Sequence, residues 1–459
     1  MKNAAILVIL NFFFAYAEII DSISFVGHVK TKDEYLQKLV SPILKTQYSA
    51  ASDTAIFDAL AKTRIFSEIV IVPSLIKETG DVLIFVVLKE DDNFSLSGIG
   101  AGTISTMYGE RTNEFLPYIN LSFEYNNFLG IGHKLYWETG IWDSRFLGMY
   151  WYIPVGISPY FFDFGGVFGK RPSLVFEWEL SPFVNTNFRF GRNISKEQFV
   201  FFEISPIYRK YNTMEKHFRS GDWFASGVGD EFWEIYNKLS YTFSISDNKY
   251  PPLFATFAQI SLKTNALKSF EDKKLLEISG DFKQNIPISR RARHSVFARA
   301  RFTLTPFGEH NKYDGLLTGG MDFVRGWDDD IIGSLDNILY DIIFDNRILG
   351  TLEYQFHILT LPPFKLGFLS WYDKSMSDFT PQITGAIFLD GGFLYKKITS
   401  PISSENANAA SAGISIRVLQ PHIRTGGSIE FAWQIRGSQR YLNENRNAPV
   451  IHIGLITQF

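Results

Sequence analysis

Residues 93–459 are dominated by segments in which apolar and polar residues alternate. In Leu116–Tyr125, His133–Trp142 and Gly427–Arg436, aromatic or aliphatic side chains recur at every second position through much of the segment. Because successive side chains of a β-strand point to opposite faces, this period of two predicts strands with one apolar and one polar face. About 16 such segments can be counted, which predicts a large, all-β structure.

The alternation leaves two classes open, a soluble protein with one wet sheet face and a membrane β-barrel. Aromatic residues make up 16% of the chain, which favours a barrel with aromatic belts at the membrane interfaces. Strands of about ten residues can cross a bilayer, and only a closed barrel satisfies every backbone polar group in lipid. We therefore predict an antiparallel transmembrane β-barrel of about 16 strands over residues 93–459.

The first 17 residues, MKNAAILVILNFFFAYA, have the pattern of a secretory signal peptide. Lys2 precedes a short apolar run, and Ala15-Tyr16-Ala17 matches a cleavage site. The alternative is a membrane anchor, but this run is too short to span a bilayer comfortably as a helix. The sequence therefore predicts export and a mature chain that begins at Glu18.

Residues 18–92 lack the long alternation and predict a small α+β domain. The order of its segments is strand, helix, helix, strand, strand. The segments are SISFVGH, TKDEYLQKLV, a helical stretch with Ile56, Phe57, Leu60 and Ala61 on one face, FSEIVIVPSL and DVLIFVVLKE. Thr31 and Glu34 have the spacing of a capping box, which predicts that they cap the first helix. Asp53 is expected to cap the second helix.

The composition argues against several classes of function. The chain has no cysteine, which excludes disulfides and cysteine-based metal sites. Its 45 basic and 48 acidic residues nearly balance, so no surface for nucleic acid is indicated. The eight histidines show no metal-ligand spacing, and GIGAG (Gly98–Gly102) lacks the helix that a nucleotide site needs. We find no catalytic motif, and we expect no enzymatic activity, no cofactor and no metal.

The segment at residues 18–92 resembles a POTRA domain. The residues that carry the resemblance are Ile23, Phe25, Gly27, Leu60, Phe66, Ile69 and the LIFVVLKE stretch that ends at Glu90. The resemblance implies a single periplasmic domain with an edge strand that can bind an unfolded client polypeptide by β-augmentation. A generic small α+β domain is the alternative.

The segment LTGGMDFVRGWDDD lies in an irregular part of the sequence, Gly308–Asp345, which we interpret as a long loop. Its tetrapeptide VRGW resembles the [V/I]RG[F/Y/W] motif of the BamA/TamA superfamily, also called the bacterial surface antigen family. The residues of this motif are Val324, Arg325, Gly326 and Trp327. Downstream, FLDGG resembles the aromatic-x-Asp-x-Gly motif on the family's barrel wall. Its matching residues are Phe388, Asp390 and Gly392.

The resemblance implies that the loop folds back into the barrel and that Arg325 pairs with acidic residues on the wall. Asp390 is the expected partner, and Glu353 in GTLEYQF is a second candidate. An arginine suits this role because its guanidinium is always charged, planar and able to bind a carboxylate through two parallel hydrogen bonds. Gly326 tolerates unusual dihedral angles, and Trp327 can pack against the wall.

The ends of the predicted barrel meet at a seam between the first strand, Phe94–Ser105, and the last strand, Pro449–Phe459. Glycine weakens strand pairing, so glycines here favour a loosely closed seam, although they can also simply ease barrel curvature. The seam residues are Gly98, Gly100, Gly102, Gly454 and Phe459. A terminal phenylalanine also resembles the assembly signal of bacterial outer-membrane barrels.

These resemblances imply an outer-membrane protein that assists the insertion, assembly or translocation of other polypeptides. Its expected partners are the outer-membrane bilayer, unfolded clients at the POTRA edge strand and the barrel seam, and periplasmic accessory proteins. One alternative is a translocator of one dedicated partner, as in two-partner secretion. Another is a passive pore or a lipid-modifying barrel.

Overall fold

The structure is a computed structural model of the 459-residue chain. It describes residues 19–61, 63, 65–75, 81–90, 94–104, 116–142, 145–155, 158–172, 180–195, 197–211, 214–216, 223–225, 230–246, 252–268, 274–308, 310, 316, 324–327, 344–365, 378–396, 406–420, 425–437 and 449–456. Two compact units are present. The first extends to Ser95 and includes Glu124–Leu135 and Trp151–Phe162, and the second contains the rest of the chain.

The front of the first unit is a three-stranded sheet with two helices. Its elements are β1 (Ile20–Val26), α1 (Asp33–Val40), α2 (Ala50–Ala61), β2 (Phe66–Leu75) and β3 (Val82–Glu90). The strand order is β1-β3-β2, with β1 parallel and β2 antiparallel to β3. This is the predicted order of strands and helices.

Alternating residues of the central strand explain why the helices pack on one side of this sheet. Val82, Ile84, Val86 and Leu88 of β3 are buried, whereas Val87 between them is exposed. The buried residues join apolar side chains from β1 and the helices in one core. Its other members are Ile20, Ile23, Leu36, Leu39, Val40, Ile56 and Leu60.

Both helix-cap predictions are wrong. The residue before α1 is Lys32, and no side chain caps the helix. The hydroxyl of Thr31 donates instead to the carboxylate of Glu90, which is far away in sequence. The second helix begins at Ala50, so Asp53 lies within its first turn and accepts a hydrogen bond from the Tyr48 hydroxyl. In both places the side chain that the spacing predicted as a helix cap forms a hydrogen bond with another side chain of the fold instead.

The remaining strands form one large sheet and two small hairpins. The sheet contains β4 (Phe94–Ile104), β5 (Leu116–Phe128), β6 (His133–Trp142), β7 (Arg145–Pro154), β8 (Tyr160–Pro172), β9 (Leu180–Asn193), β10 (Gln198–Tyr211), β13 (Asp230–Ser246), β14 (Ala255–Lys268), β15 (Leu275–Ser289), β16 (His294–Gly308), β17 (Asn346–Thr360), β20 (Gln382–Tyr395), β21 (Asn406–Gln420), β22 (Thr425–Gly437) and β23 (Val450–Ile456). The hairpins pair β11 (Met214–Lys216) with β12 (Trp223–Ala225), and β18 (Phe364–Lys365) with β19 (Asp378–Phe379).

The large sheet has 16 strands in sequential order from β4 to β23, in agreement with the predicted number. The pairings described from β9 to β23 are all antiparallel. Each strand therefore pairs with the next strand of the sheet, and successive turns lie at alternate ends. Within the described part of the chain, no helix is long and apolar enough to cross a membrane.

The two faces of the last five strands differ sharply in chemistry. On one face, Glu353, Asp390, Arg417 and Glu430 are each no more than 3% exposed. On the opposite face, large apolar side chains are roughly half exposed. They include Leu352, Ile387, Leu389, Ile414, Ile416, Ile429 and Ile451. We call these the polar face and the apolar face. The period of two in the sequence thus produces a sheet that buries charge and exposes hydrocarbon.

Candidate functional site

The VRGW tetrapeptide forms a turn between β16 and β17, and all four residues are buried. Gly326 has a φ of +104°, in the left-handed region that favours glycine. A Cβ atom at this position would lie 2.9 Å from the Cβ of Ser411 on β21. Both the backbone angle and the lack of space therefore require glycine beside the arginine.

Arg325 binds Asp390 in a two-pronged arrangement. Its Nε donates to Oδ2 at 2.7 Å and its Nη2 donates to Oδ1 at 2.8 Å. The backbone N–H of Arg325 also donates to Oδ2 at 3.2 Å. The guanidinium carbon lies 3.4 Å from the ring centroid of Phe388, two residues earlier on β20. The fork and the stacking together fix both the position and the plane of the guanidinium.

The third prong of Arg325 reaches Glu353. Nη1 of Arg325 donates to Oε1 of Glu353 at 2.7 Å. The structure thus brings Arg325 together with Asp390 and Glu353, the residues that the sequence proposed as partners. Gly392, the other wall residue named from the sequence, lies in β20 and pairs with Leu349 and Ala409.

A second buried arginine, Arg417 on β21, completes the cluster, and sequence reasoning missed it. Arg417 donates to both carboxylate oxygens of Glu353, at 3.0 and 2.9 Å. Its Nη2 also lies 3.4 Å from Oε1 of Glu430 on β22, and Nη1 of Arg325 lies at the same distance from that atom. The sequence signal that could have identified it is position in the alternation, because Arg417 and Glu430 lie at polar-face positions of strands whose apolar residues alternate.

The five side chains form one network, which we call the charge cluster: Arg325, Glu353, Asp390, Arg417 and Glu430. It holds two formal positive and three formal negative charges. Oε2 of Glu430 has no hydrogen-bond partner among the described residues, whereas Oε1 accepts from Ser415 at 3.1 Å. Buried charges are tolerated only when paired and hydrogen-bonded. The other carboxylates of the cluster meet this condition more fully than Glu430 does.

A hydrophobic cluster lies beside the charge cluster. Val324 and Trp327, the residues on either side of Arg325-Gly326, are almost fully buried. They pack with apolar residues of the loop end and of three strands. These are Phe344, Leu349, Leu394, Ala407 and Ala409. The tetrapeptide is thus held by charge pairing at its arginine and by hydrophobic burial on both sides.

The two ends of the loop are fixed to each other by hydrogen bonds. Thr305 at the end of β16 donates to the carbonyl oxygen of Asp345 at 2.7 Å. The backbone N–H of His310 donates to the Asp345 carboxylate at 2.9 Å, and that of Thr305 donates to Asn346 at 2.9 Å. The base of the loop is therefore closed, independently of the contacts that hold its VRGW turn.

The turn also contacts the last two strands. Gln434 of β22 donates to the carbonyl oxygen of Gly326 at 2.6 Å. The backbone N–H of Gly326 donates to Nε2 of His452 on β23 at 3.5 Å. These contacts join the loop to the strand at one end of the 16-stranded sheet.

The structure places the predicted seam residues in the two terminal strands of the sheet. Gly98, Gly100 and Gly102 lie in β4, and Gly454 lies in β23, where it pairs with Ser428 of β22. Phe459 lies outside the described residues.

The first unit contains a second polar contact, which involves the turn between β5 and β6. Nδ2 of Asn127 donates to the Thr31 hydroxyl at 2.8 Å, and both residues are buried. The backbone N–H of Lys32 donates to the carbonyl oxygen of Gly130 at 2.9 Å. Thr31 in turn donates to Glu90 through its hydroxyl, and through its backbone N–H at 2.7 Å. We call this set of bonds the turn contact.

Close approach explains the glycines of the turn contact. Gly130 has a φ of +71°, and a Cβ there would overlap the carbonyl oxygen of Lys30. Gly132 has a φ of +80°, and a Cβ there would overlap the hydroxyl of Tyr35. Burial, together with neighbouring Tyr152, raises the pKa of Tyr35 to about 12, so its phenol stays neutral.

A family model described as the Omp85 superfamily domain matches residues 183–447, more than half of the chain. The chain belongs to the Omp85 superfamily. This confirms the family resemblance drawn from the VRGW and FLDGG motifs. The Omp85 match includes the VRGW turn and all five members of the charge cluster.

Solved structures show the same overall fold as this Omp85 chain. BamA from Haemophilus ducreyi lacking POTRA domains 1–3 matches with a TM-score of 0.63 and 15% identity, over 96% of this chain and 84% of that one. CdiB from Acinetobacter baumannii matches with a TM-score of 0.63 and 11% identity, over 96% and 74%. CdiB from Escherichia coli matches with a TM-score of 0.51 and 12% identity, over 95% and 90%. Comparison with the sequences of curated proteins gave no match.

Proposed function

We propose that this Omp85 protein is an outer-membrane β-barrel that assists the insertion or translocation of other polypeptides. In this proposal residues 93–459 form the barrel, and residues 18–92 form one periplasmic POTRA domain. The observation that carries the proposal is the VRGW turn, buried on the polar face and bound to it through Arg325. A loop held in this way suits a barrel with a polar interior.

Closure of the sheet between β4 and β23 follows from the chemistry of the two faces. The apolar face exposes residues such as Leu352, Leu389 and Ile416, which suits contact with lipid. An open sheet in lipid would leave unpaired backbone groups along both end strands, each of which costs several kcal/mol. Pairing of β4 with β23 removes both edges and encloses the polar face.

The loop contacts suggest how such a barrel holds its shape near the seam. Through Arg325 and Gly326, the VRGW turn contacts side chains of β17, β20, β22 and β23. These are strands of the quarter of the barrel that ends at the seam. We propose that the turn braces this quarter, so that the β4–β23 pairing is the weaker place where a client can leave sideways.

The front domain offers one edge for a client. The outer edge of β1 is covered at its first residue, because the N–H of Ile20 donates to the carbonyl oxygen of Thr46 and its carbonyl oxygen accepts from Lys45. The sheet order leaves β2 as the other edge. We propose that unfolded clients, delivered with periplasmic accessory proteins, add a strand at β2 by β-augmentation.

A covalent lock across the seam tests the proposal. The chain has no cysteine, so one cysteine can be placed among Gly98–Gly102 and one among Ile451–Leu455. Only pairs whose Cα atoms lie within about 7 Å will form a disulfide, which also tests closure. The folding of model barrels in liposomes is then measured before and after reduction. We expect the locked protein to be inactive and the reduced protein to recover.

A second disulfide serves as the matched control. Ile414 of β21 and Phe431 of β22 are register partners away from the seam. Cysteines at these positions should lock two strands that never separate, without loss of activity. If the seam-locked barrel inserts clients as fast as its reduced form, the seam is only structural and a pore or single-partner translocator becomes the better interpretation.

The fold comparisons do not choose between a general insertase and a translocator of one partner, because BamA and CdiB match equally well. Identification of crosslinked clients that co-purify with the protein would distinguish the two functions. Several unrelated barrel proteins among the clients would support the insertase, and a single secreted protein would support the translocator. Conductance and lipase assays test the pore and the lipid-modifying barrel. Residues 1–18 lie outside the described residues, and intact mass of the exported protein should show a chain beginning at Glu18.

A further inference from the structure

The turn between β15 and β16 carries three arginines in four residues, Arg290, Arg291 and Arg293, and all three are exposed. None of them forms an ion pair with a described acidic residue; Arg293 donates a hydrogen bond to Gln382 at 3.1 Å. The neighbouring strand ends contain no acidic residue over 286–297, 354–365 and 380–385. The positive charge of this turn is therefore not neutralised by these three segments.

Arg293 occupies a backbone position that usually selects another residue. Its φ is +54°, in the left-handed region, where asparagine or glycine costs less than a residue with a long side chain. A residue kept in such a conformation points to a use for its side chain. Here the side chain adds a third guanidinium to an already basic turn.

The strand that leads into this turn ends in apolar side chains. Ile286 and Ile288 of β15 are more than half exposed, and Ile288 is two residues before Arg290. On the adjacent strands, the hydroxyl of Tyr354 lies 2.6 Å from Nδ1 of His294, and the two rings meet edge to face. A barrel wall that passes from the hydrocarbon core to the lipid headgroups is expected to show apolar residues first, then aromatic residues, then basic residues. The strand ends around this turn follow that order.

We propose that Arg290, Arg291 and Arg293 form a binding site for the phosphate headgroups of anionic phospholipids in the inner leaflet of the outer membrane. Antiparallel order places this turn at the same end of the sheet as the β5–β6 turn. The choice of the inner leaflet rests on the proposed function, in which that end faces the periplasm. A guanidinium binds phosphate oxygens in pairs, and basic residues near a membrane surface attract anionic lipid.

Lipid titration followed by native mass spectrometry tests the site. The full chain is released from detergent micelles that contain phosphatidylethanolamine and increasing phosphatidylglycerol, and bound phosphatidylglycerol is counted. Each basic group near the surface contributes about fivefold in affinity, so Arg290→Gln/Arg291→Gln/Arg293→Gln should bind at least about tenfold more weakly. If the triple variant folds poorly, the double variant Arg290→Gln/Arg291→Gln is measured instead. It keeps the Arg293–Gln382 bond and should show an intermediate loss of affinity.

The matched control removes the same charge at the opposite end of the sheet. Lys170, Lys274 and Arg436 are exposed and lie at that end. Lys170→Gln/Lys274→Gln/Arg436→Gln should bind phosphatidylglycerol as the unsubstituted protein does. Equal binding by the turn variant, or equal loss in the control, would overturn the site.

A labelling experiment separates this inference from the proposed function. Ala292→Cys introduces the only cysteine of the chain, and an impermeant maleimide should not reach it in intact cells. Labelling from outside would overturn the proposed orientation, and with it the inner leaflet as the source of lipid. If labelling places Ala292 in the periplasm but the turn variant still binds phosphatidylglycerol normally, the lipid site alone is removed.

Discussion

Two parts of the molecule hold a turn in place by opposite means. The VRGW turn is held through a cluster of five buried charged groups, one of which is its own Arg325. The turn contact of the first unit instead uses neutral donors, backbone groups and close-fitting glycines, with Glu90 at its partly exposed margin. Burying an ion pair gains little over an apolar pair, but breaking it is costly. Charge therefore gives the loop one permitted arrangement, while shape and backbone pairing give the turn contact its stability.

Loss of the central arginine should produce the largest effect. Arg325→Ala leaves Asp390 without its guanidinium and Glu353 with Arg417 as its one remaining arginine partner, which should cost about 3–5 kcal/mol of unfolding free energy. Urea unfolding in detergent measures it, and Arg325→Lys should rescue poorly because the fork is lost. Arg299→Ala, which removes a half-buried pair with Asp281, is the control and should cost about 1 kcal/mol or less.

A double-mutant cycle tests whether the pairing itself causes that effect. Arg325→Ala, Asp390→Ala and the double variant are compared by the same unfolding measurement. Groups that share two charge-assisted bonds should show a coupling energy of about 1–3 kcal/mol. Strictly additive effects would mean that the two side chains do not interact.

The two glutamates of the charge cluster should differ. Glu353 accepts four hydrogen bonds, from Arg325, Arg417 and Gln355, so Glu353→Gln should cost about 3 kcal/mol. Glu430 has one unpartnered oxygen and supplies the excess negative charge, so Glu430→Gln should cost about 1 kcal/mol or less. Equal losses would show that charge balance within the cluster does not matter.

A methyl group should disturb the turn contact by shape alone. Gly130→Ala forces a left-handed residue against the Lys30 carbonyl oxygen and should cost about 2 kcal/mol. Gly391→Ala on β20 is the matched control, because a Cβ there meets nothing within 4 Å. Hydrogen exchange of the Lys32 amide reports the loss, and similar exchange in both variants would contradict this account.

The smallest expected effect is a loss of stability at the turn contact at low pH. Burial alone would raise the pKa of Glu90, but hydrogen bonds from Thr31 and Lys30 hold this pKa below its ordinary value. A depressed folded pKa means that the stabilisation is complete above the unfolded value of about 4.3 and is lost as pH falls through the folded pKa. The protection factor of the Thr31 amide, which corrects for the intrinsic pH dependence of exchange, should therefore fall with acid in the unsubstituted protein, and much less in Glu90→Gln.

The sequence predicted most where the signal was repeated or specific. Alternation over many strands led to a sheet of 16 strands, and the resemblance of VRGW, LEYQF and FLDGG to the family's motifs singled out Arg325, Glu353 and Asp390, which the structure places in contact. Arg417 was missed because a single arginine on an alternating strand is ordinary for a polar face. Its pairing depends on which strands become neighbours, which no local pattern shows.

The prediction of the first helix cap failed because residues distant in the sequence form hydrogen bonds with Thr31. Thr31 and Glu34 have the spacing of a cap, but Thr31 bonds with Glu90 and Asn127. A buried hydroxyl gains more from a complete set of partners than from a cap at a partly exposed helix end. The special role of Gly130 was likewise hidden, because its neighbour Lys30 lies about a hundred residues earlier in the chain.

Arg325 precedes every acidic partner in the chain, by 28 residues for Glu353, 65 for Asp390 and 105 for Glu430. The entropy cost of closing a loop grows with its length, and distant contacts form late in folding. We therefore expect the guanidinium to remain hydrated until β17 arrives, and then to gain Glu353, Asp390 and Glu430 in turn. The positions of these charges impose a direction on assembly, with each later strand recruited to an arginine that is already in place.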